Sequence, residues 1–287
     1  MKLVSYIYND APAVGVLTQD ETRVVPVKAL GYKADDMNAL IDELHGQKLR
    51  LGEAESIALS DVELDAAIDP RQDVICLGLN YREHAAEATR ADKVFDVQKG
   101  DAVYFAKRVD RAVAPGKPIE GHFDICDSLD YEVELAVIIG KDAKNVSAAD
   151  AAEYIFGYSV INDVSARNLQ TRHKQWYFGK SLDGFTPIGP CILTGEQFLG
   201  RPKLGIRSYV NGQKRQDSST DMMIFDIPYI IEELSAGMTL RAGTVIATGT
   251  PSGVALGMPP ETRKYLVSGD VVRCEIDQIG VLENEVR

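Results

Sequence analysis

The stretch LDYEVELAVIIG, at positions 129–140, places two carboxylates inside an otherwise apolar run. Its aliphatic and β-branched residues predict a buried β-strand. Side chains alternate across a strand, so Glu132 and Glu134 share one face with Ala136 and Ile138. The valine, leucine and isoleucine residues between them point to the opposite face. Both the fold and the chemistry of this chain depend on what the glutamate face contacts.

The residues alone leave two interpretations of this glutamate pair open. The first is an amphipathic strand with one solvent-exposed face, because glutamate is mostly exposed in folded proteins. The second is a metal site, because Cα atoms two residues apart on a strand are separated by about 7 Å, which lets both carboxylates lean onto one ion. A divalent ion would also relieve the repulsion between two buried negative charges. Oxygen ligands favour Mg²⁺, Mn²⁺ or Ca²⁺ over zinc.

The composition is that of an acidic globular protein. The chain has 287 residues, a hydrophobic fraction of 45%, and 31 basic against 43 acidic residues, which gives a net charge of −12. This balance argues against a nucleic-acid partner and against docking to anionic membranes. No segment has the ~18 continuous apolar residues of a membrane span, and the N-terminus does not resemble a secretory signal.

The cysteines indicate a reducing compartment. Cys76, Cys126, Cys191 and Cys274 are scattered, without the CxxC spacing of a metal or redox motif. In a chain of this length such scatter predicts reduced thiols in the core. We therefore expect a cytoplasmic protein.

The pattern of the chain changes at Asp69-Pro70. We place a domain boundary there, with a small N-terminal domain of strands and one helix at residues 1–69 and a larger catalytic domain at residues 70–287. Strand patterns outnumber helical ones, and no regular strand–helix alternation is present, which disfavours a Rossmann fold or a TIM barrel. The sequence predicts an α+β, β-rich fold, a roll or barrel with flanking helices.

Local signals predict several element ends. Asn211-Gly212 supplies the positive φ angles of a type I′ hairpin turn. Pro228 lies in the first turn of a predicted helix that ends near Gly237. Ser147 is the predicted N-cap of a short helix that follows it.

A third carboxylate for a metal site is available in the segment NDVSARNLQ. Asp163 follows an apolar strand, in a polar turn, and a turn-forming role is the alternative interpretation. On a helix, Asp163, Arg167 and Gln170 would line one side. A carboxylate, a guanidinium and an amide on one edge are suited to holding a metal ion together with an anionic ligand.

Five ordered motifs give the chain a close resemblance to the fumarylacetoacetate hydrolase (FAH) family. They are DYEVELAVIIG, NDVSARNLQ, GKSLDGFTPIGP, the hairpin VNGQKRQ and the loop GTPSGV, and they extend from about residue 77 to the C-terminus. The resemblance implies a mixed β-roll, a homodimer, and Mg²⁺ or Mn²⁺, with Ca²⁺ possible, held by Glu132, Glu134 and Asp163.

The segment LGLNYREHAAEA matches the lid of that family, which carries a histidine and a glutamate. Here these residues are His84 and Glu87, which can pair at i and i+3 on a helix. A surface helix with an incidental ion pair is the alternative. The family often has Phe-x-Lys-Pro after the lid, whereas this chain has FAKR, with Lys107 kept and Arg108 in the proline position.

The resemblance and the residue chemistry together predict a divalent-metal-dependent enzyme acting on a small anionic 2-oxo acid. His84, Glu87 and Lys180 are the expected catalytic residues, and Arg167, Gln170 and Thr250 are expected to bind the substrate. The leading expectation is hydrolytic C–C cleavage of an acylpyruvate, as in the catabolism of aromatic compounds. The same site also supports oxaloacetate decarboxylation or tautomerisation, or isomerisation or decarboxylation of 2-hydroxyhepta-2,4-dienedioate. A metal-binding protein without catalysis is the alternative from another class.

Overall fold

Strands outnumber helices in the computed structural model, which describes residues 1–91, 100–195 and 198–287. The strands are β1 (Lys2–Tyr8), β2 (Ala11–Leu17), β3 (Arg23–Pro26), β4 (Ile57–Ala58), β5 (Glu63–Leu64), β6 (Val74–Gly78), β7 (Val103–Lys107), β8 (Leu129–Asp130), β9 (Val133–Ile139), β10 (Ile155–Asn162), β11 (Ser165–Ala166), β12 (Ile188–Thr194), β13 (Gly205–Val210), β14 (Gln213–Ser219), β15 (Val245–Ala247), β16 (Val271–Ile276) and β17 (Gly280–Glu285). The helices are α1 (Met37–Leu44), α2 (Arg82–Ala91), α3 (Arg167–Arg172), α4 (Tyr177–Lys180) and α5 (Ile227–Gly237). The predicted α+β, β-rich fold is confirmed.

Most strands belong to one mixed sheet. Its order is β4-β3-β2-β1-β12-β10-β9-β15-β6-β7, with β5 attached to β1. The pairs are antiparallel except for β15 and β6, which run parallel. A second sheet has the order β14-β13-β16-β17, and β8 pairs with β11 in a third. Since β9 lies in the interior of the large sheet, the stretch quoted first is the centre of the fold.

The two faces of β9 bury different cores. Val133, Leu135 and Val137 belong to the core that also contains residues of β13, β16 and helix α5. Ala136 and Ile138 belong to the core on the opposite side, which includes the apolar face of α1 and strand β1. The alternation predicted from the sequence therefore holds, but both faces are covered. Strands covered on both sides are typically apolar along their whole length, which makes the glutamates exceptional.

The strands of the first 69 residues continue the sheet of the larger part. β1 pairs antiparallel with β12, with Lys2 opposite Leu193 and Leu3 opposite Ile192. The sheet therefore passes from one part of the chain to the other without a break. The boundary at residues 69 and 70 stays a prediction.

Several local predictions are confirmed and one is wrong. Asn211 and Gly212 have φ angles of 50° and 74°, as the hairpin requires, and the Asp226 side chain caps α5 ahead of Pro228 by accepting from the Tyr229 N–H. The predicted N-cap at Ser147 is wrong. Its hydroxyl donates to the Asp150 carboxylate, and the helical turn that follows is a single 3₁₀ turn at Ala151–Tyr154.

All four cysteines are free and buried, as expected for core thiols. None of the helices in the described ranges combines the length and apolar character that a bilayer crossing requires.

Candidate metal centre

Three carboxylates converge where β9 begins and β10 ends. Each of Glu132, Glu134 and Asp163 offers an oxygen, and these atoms all lie within 4.8 Å of one another. The strand register explains this, because β10 runs antiparallel to β9 with Asn162 opposite Val133. Asp163, the next residue, is held by its backbone N–H, which donates to the Glu132 carbonyl at 2.9 Å.

The interpretation of the glutamates as a solvent-exposed face is wrong. Glu132 is 5% exposed, Glu134 is 1% exposed and Asp163 has no exposure. Burying a carboxylate is costly unless it is paired. The partners of these three groups therefore decide what the site can do.

Three buried cations neutralise most of the negative charge. Lys180 Nζ lies 2.7 Å from Glu132 Oε2 and 2.6 Å from Asp163 Oδ2. Arg167 Nη2 lies 2.7 Å from Glu132 Oε1. Lys107, at the end of β7, donates to Asp163 Oδ1 at 2.7 Å and to the Val164 carbonyl at 3.0 Å. These contacts place Lys107 directly behind Asp163, a position that the FAKR sequence left open.

Asp130, the first residue of the DYEVELAVIIG motif, is a fourth buried carboxylate that the sequence analysis did not single out. Its Oδ2 accepts from Arg167 Nε at 2.9 Å. Both of its oxygens also accept from backbone N–H groups, Oδ1 from Ala255 and Oδ2 from Leu256. Asp130 thereby orients the guanidinium so that another of its nitrogens faces Glu132. The available signal was its place at the start of that motif, next to the two glutamates.

The charge balance is suited to a divalent cation. The four carboxylates and three cations leave one net negative charge in the buried cluster. Burial raises the pKa of Glu134 well above its ordinary value, and the negative charges of Asp163 and Glu132 raise it further. Burial also acts to raise the pKa of Glu132, but Lys180 and Arg167 outweigh it and lower that pKa. Glu134 is therefore the carboxylate whose negative charge the surrounding protein stabilises least.

Glu134 is the position at which a metal ion fits. The only hydrogen bond to its carboxylate within the described residues comes from the Gly249 N–H, at 2.7 Å to Oε2. No lysine or arginine in the described ranges forms an ion pair with it, in contrast to Glu132 and Asp163. A divalent ion held by the three carboxylates would turn the local charge from −1 to +1. A site with that charge attracts an anionic ligand.

The lid segment is a helix, α2, and it lies over this centre. Nδ1 of His84 lies 3.4 Å from Oε2 of Glu87, and the His84 side chain is 8% exposed. The predicted pairing at i and i+3 is therefore present, and it is not on the surface as the alternative supposed. Gly253 donates its N–H to both Glu87 oxygens, at 3.2 and 3.1 Å. This contact fixes the carboxylate that faces the imidazole.

A small cavity, with about 20 Å³ of space open to a water-sized molecule, lies between the lid and the carboxylates. Its polar wall contains His84, Glu132, Glu134, Arg167, Gln170, Lys180 and Thr250. Its apolar wall contains Leu77, Leu79, Ala88, Phe105, Trp176 and Leu256. The arrangement can hold a short molecule with one charged end and one uncharged end.

Comparison with known proteins agrees with the residue pattern. Residues 73–287 match the model of the fumarylacetoacetate (FAA) hydrolase C-terminal family. The chain belongs to the fumarylacetoacetate hydrolase family. The FAH-like match covers the whole centre described above, including the lid.

Two relatives of this FAH family chain are informative. It is 44% identical over 230 residues to an oxaloacetate tautomerase of Bacillus subtilis, a match that spans 80% of this chain and 74% of the relative. It is 42% identical over 245 residues to a fumarylacetoacetate hydrolase domain-containing protein 2 homolog of Dictyostelium discoideum, spanning 80% of this chain and 76% of the relative.

Solved FAH family structures have the same fold. A fumarylacetoacetate hydrolase from Exiguobacterium antarcticum superposes with a TM-score of 0.86 at 38% identity, covering 100% of this chain and 99% of that one. A 2-hydroxyhepta-2,4-diene-1,7-dioate isomerase from Mycobacterium marinum gives 0.75 at 31% identity, covering 100% and 98%. The fold, with its N-terminal strands, is therefore common to family members with differently named activities.

One detail of the predicted FAH site differs in the structure. Asp163 does not lie on a helix with Arg167 and Gln170, because α3 begins only at Arg167 and the short strand β11 intervenes. Arg167 Nη1 donates to Gln170 Oε1 at 3.0 Å, so these two side chains still act as a unit beside the carboxylates.

Thr250, predicted to bind substrate, lines the cavity with a hydroxyl that already has protein partners. Its Oγ1 donates to the Val133 carbonyl at 2.8 Å and accepts from Gln216 Nε2 at 2.7 Å. Gln216, which is fully buried, was not singled out from the sequence. The hydroxyl therefore ties the loop of Thr250 to β9, and its role toward a substrate stays a prediction.

Proposed function

We propose that this FAH family protein interconverts the keto and enol forms of a short 2-oxo acid, with oxaloacetate as the best candidate, in a divalent-metal-dependent reaction. The observation that carries this proposal is that His84, which pairs with Glu87, lines the same small cavity as Glu132 and Glu134 of the carboxylate triad. The name of the Bacillus subtilis relative, oxaloacetate tautomerase, supports the same choice. Mg²⁺ or Mn²⁺ is the proposed ion.

The bound ion would act as a Lewis acid on a 2-oxo acid that chelates it. Glu132, Glu134 and Asp163 would hold it, because they supply three buried oxygens with one uncompensated charge. Arg167 and Lys180 already face this cluster as cations and would attract the substrate carboxylate. This local attraction is needed because the net charge of the whole protein is −12, which does not attract an anion.

Tautomerisation requires one proton to leave C3 and one to reach the 2-oxo oxygen. His84 is the proposed base, because Nδ1 faces Glu87 and Nε2 remains for the substrate. Glu87 orients the ring and stabilises the imidazolium that forms. Lys180 is the proposed hydrogen-bond donor to the oxygen on which negative charge develops, and the imidazolium of His84 then delivers the proton taken from C3 to that oxygen. The closed lid excludes water from this exchange.

Acylpyruvate hydrolysis, the leading expectation from the sequence, is the second candidate. The His84–Glu87 pair favours it, because the same base that removes a C3 proton can deprotonate a water molecule. Isomerisation of a seven-carbon dioate is supported by the name of the Mycobacterium marinum structure. These reactions share an enolate but give different products.

One assay separates these possibilities. Protein stripped with a chelator and reloaded with Mg²⁺ or Mn²⁺ is mixed with oxaloacetate enol, and ketonisation is followed by the ultraviolet absorbance of the enol. Pyruvate with CO₂ would identify a decarboxylase, and pyruvate with a free acid from an acylpyruvate would identify a hydrolase. If no 2-oxo acid tested reacts faster with loaded wild type than with the His84→Ala variant, the protein is a metal binder without this chemistry.

We further propose that the protein works in the cytoplasm as a homodimer, without nucleic-acid or membrane partners. Four buried free thiols support a reducing compartment, and the net charge of −12 disfavours nucleic acid. Phe123, Ile125, Tyr177 and Phe178 are each 44% exposed, which supports an apolar subunit contact. Sedimentation of the purified protein would test the oligomeric state.

A further inference from the structure

The loop at residues 249–257, GTPSGVALG, uses its backbone N–H groups to hold carboxylates from three separate segments. Those carboxylates belong to the metal cluster, to the strand segment that orients Arg167, and to the lid helix. The bonds run from Gly249 to Glu134 at 2.7 Å, from Gly253 to Glu87 at 3.1 and 3.2 Å, from Ala255 to Asp130 at 2.8 Å, and from Leu256 to Asp130 at 2.9 Å. The loop therefore fixes the positions of the metal cluster and the lid helix relative to each other.

Apolar packing joins the same loop to α2. Ala88 of the lid helix, Val254 and Leu256 form a small cluster of buried side chains. At the rim, Ser252 Oγ donates to Glu83 Oε2 at 3.4 Å. One face of the lid helix thus rests on the loop, with Glu87 at its centre.

Glu87 reaches the loop only because residue 257 has no side chain. A Cβ at Gly257 would lie 2.0 Å from Cδ, 2.1 Å from Cγ and 2.3 Å from Oε1 of Glu87. Atoms cannot approach so closely, so either the carboxylate or the loop would have to move. The loop is held by Asp130 and Glu134, whereas the glutamate side chain can rotate. A methyl group at this position would therefore displace Glu87 from the Gly253 N–H and from His84.

We propose that Gly257 is a positioning residue, which acts on the reaction by leaving the space in which Glu87 orients His84. This role rests on the proposed function of the His84–Glu87 pair. Gly257 is not among the residues that line the cavity, and the three atoms nearest to a Cβ at this position all belong to Glu87. Its effect on catalysis must therefore pass through Glu87.

The Gly257→Ala variant is a selective probe of this role. The backbone of Gly257 is outside the left-handed region, so alanine meets no conformational strain there. The obstacle to its Cβ is the end of a flexible side chain. Gly237→Ala is the matched control, because a Cβ there meets nothing within 4 Å and its backbone is also outside the left-handed region.

We expect Gly257→Ala to lower kcat by roughly 10- to 100-fold, since small misplacements of a catalytic group cost this much. KM and the metal dissociation constant should change little, and Gly237→Ala should leave all three constants unchanged. In the Glu87→Ala background the obstructing atoms are gone, so adding Gly257→Ala should cause no further loss. If Gly257→Ala also lowers Tm, the Glu87→Ala change should restore it. Equal effects of Gly257→Ala in both backgrounds, or no effect in wild type, would overturn the proposal.

A measurement that does not require catalytic turnover can test this proposal separately from the proposed function. The ¹⁵N chemical shift of His84 Nδ1 reports its contact with Glu87. We expect the same shift change in Gly257→Ala and in Glu87→Ala, and none in Gly237→Ala. If this pattern appears while no 2-oxo acid is turned over, the positioning stands and the proposed reaction is wrong. If turnover is found but the Nδ1 shift of Gly257→Ala matches that of wild type, the positioning is wrong.

Discussion

Nζ of Lys107 lies 2.7 Å from Oδ1 of Asp163, and neither side chain has any exposure. The other oxygen of Asp163 is held by Lys180 at 2.6 Å. This proposed metal ligand is thus held in place from two sides by the protein itself. Burial lowers the pKa of Lys107, and Lys180 lowers it further, while Asp163 opposes both effects.

Replacing Lys107 with methionine should lower stability and tighten metal binding. Breaking a buried ion pair costs about 3–5 kcal/mol, because the remaining charge loses its partner. The same loss makes the cluster more negative and frees Asp163 Oδ1 for the ion. Urea denaturation of the metal-free protein and calorimetric titration with Mn²⁺ measure the two effects. The control is Lys203→Met, at a side chain that is 77% exposed, which should leave both the stability and the Mn²⁺ affinity unchanged. Weaker Mn²⁺ binding in Lys107→Met would contradict this account.

Glu134→Gln should leave the metal-free protein at least as stable as the wild type, but it should abolish the stabilisation that a bound metal gives. The amide oxygen can still accept from the Gly249 N–H, and the variant loses a buried carboxyl group that forms no ion pair with any described lysine or arginine. The metal-free variant should therefore melt at or above the wild-type Tm. A metal concentration near 100 Kd stabilises the wild type by about 2.7 kcal/mol, or about 5 °C in Tm, and this rise should be absent in the variant.

Thermal melts with and without Mg²⁺ provide that comparison. The exposed Glu261 is the control position, since Glu261→Gln should keep the full rise. A metal-dependent rise of the wild-type size in Glu134→Gln would remove Glu134 from the ligand set.

His84→Ala should separate catalysis from metal binding. A general base contributes about 10²- to 10⁴-fold to the rate, and kcat should fall by that factor. The metal dissociation constant should stay at the wild-type value, because the imidazole is not one of the three clustered ligands. Steady-state kinetics and calorimetry test the two parts, with His173→Ala as the exposed control. Unchanged kcat on the best substrate would assign the base to another residue.

Trp176→Ala should widen the choice of substrate. The indole packs against Gly78, where a Cβ would lie 2.3 Å from the ring, and against Phe105 at 5.2 Å between ring centroids. It therefore forms part of the apolar wall opposite the carboxylates. Removing it should raise kcat/KM for 2-oxo acids with longer apolar tails by roughly 10-fold relative to oxaloacetate. A matched series of such acids measures the change, and Tyr177→Ala, which alters the exposed neighbour, should leave the ratio as in wild type.

The sequence was most informative where function depends on side chains within one element. The alternation in β9 and the i, i+3 spacing of His84 and Glu87 are local patterns, and the structure contains both. The helix expected from Asp163 onward was wrong, because Ser165 and Ala166 pair with the distant strand β8 instead. Such pairing leaves no trace in local periodicity.

The sequence also did not predict the hydrogen bonds that backbone N–H groups make to site residues. The Gly253 N–H that holds Glu87 belongs to a loop 166 residues further along the chain. An amide hydrogen has no residue type of its own, so no sequence pattern announces what it binds. Asp130 was missed for a related reason, since its partners come from Arg167 and from loop amides.

The pairing of β1 with β12 has a consequence for work with fragments of this protein. In a fragment that starts near residue 70, β12 would become an exposed edge strand with unpaired amide and carbonyl groups. The apolar face of the sheet that α1 covers would be exposed to water at the same time. Such a fragment would self-associate through that edge, and a recombinant truncation at the start of the family match is a poor starting point for crystallisation.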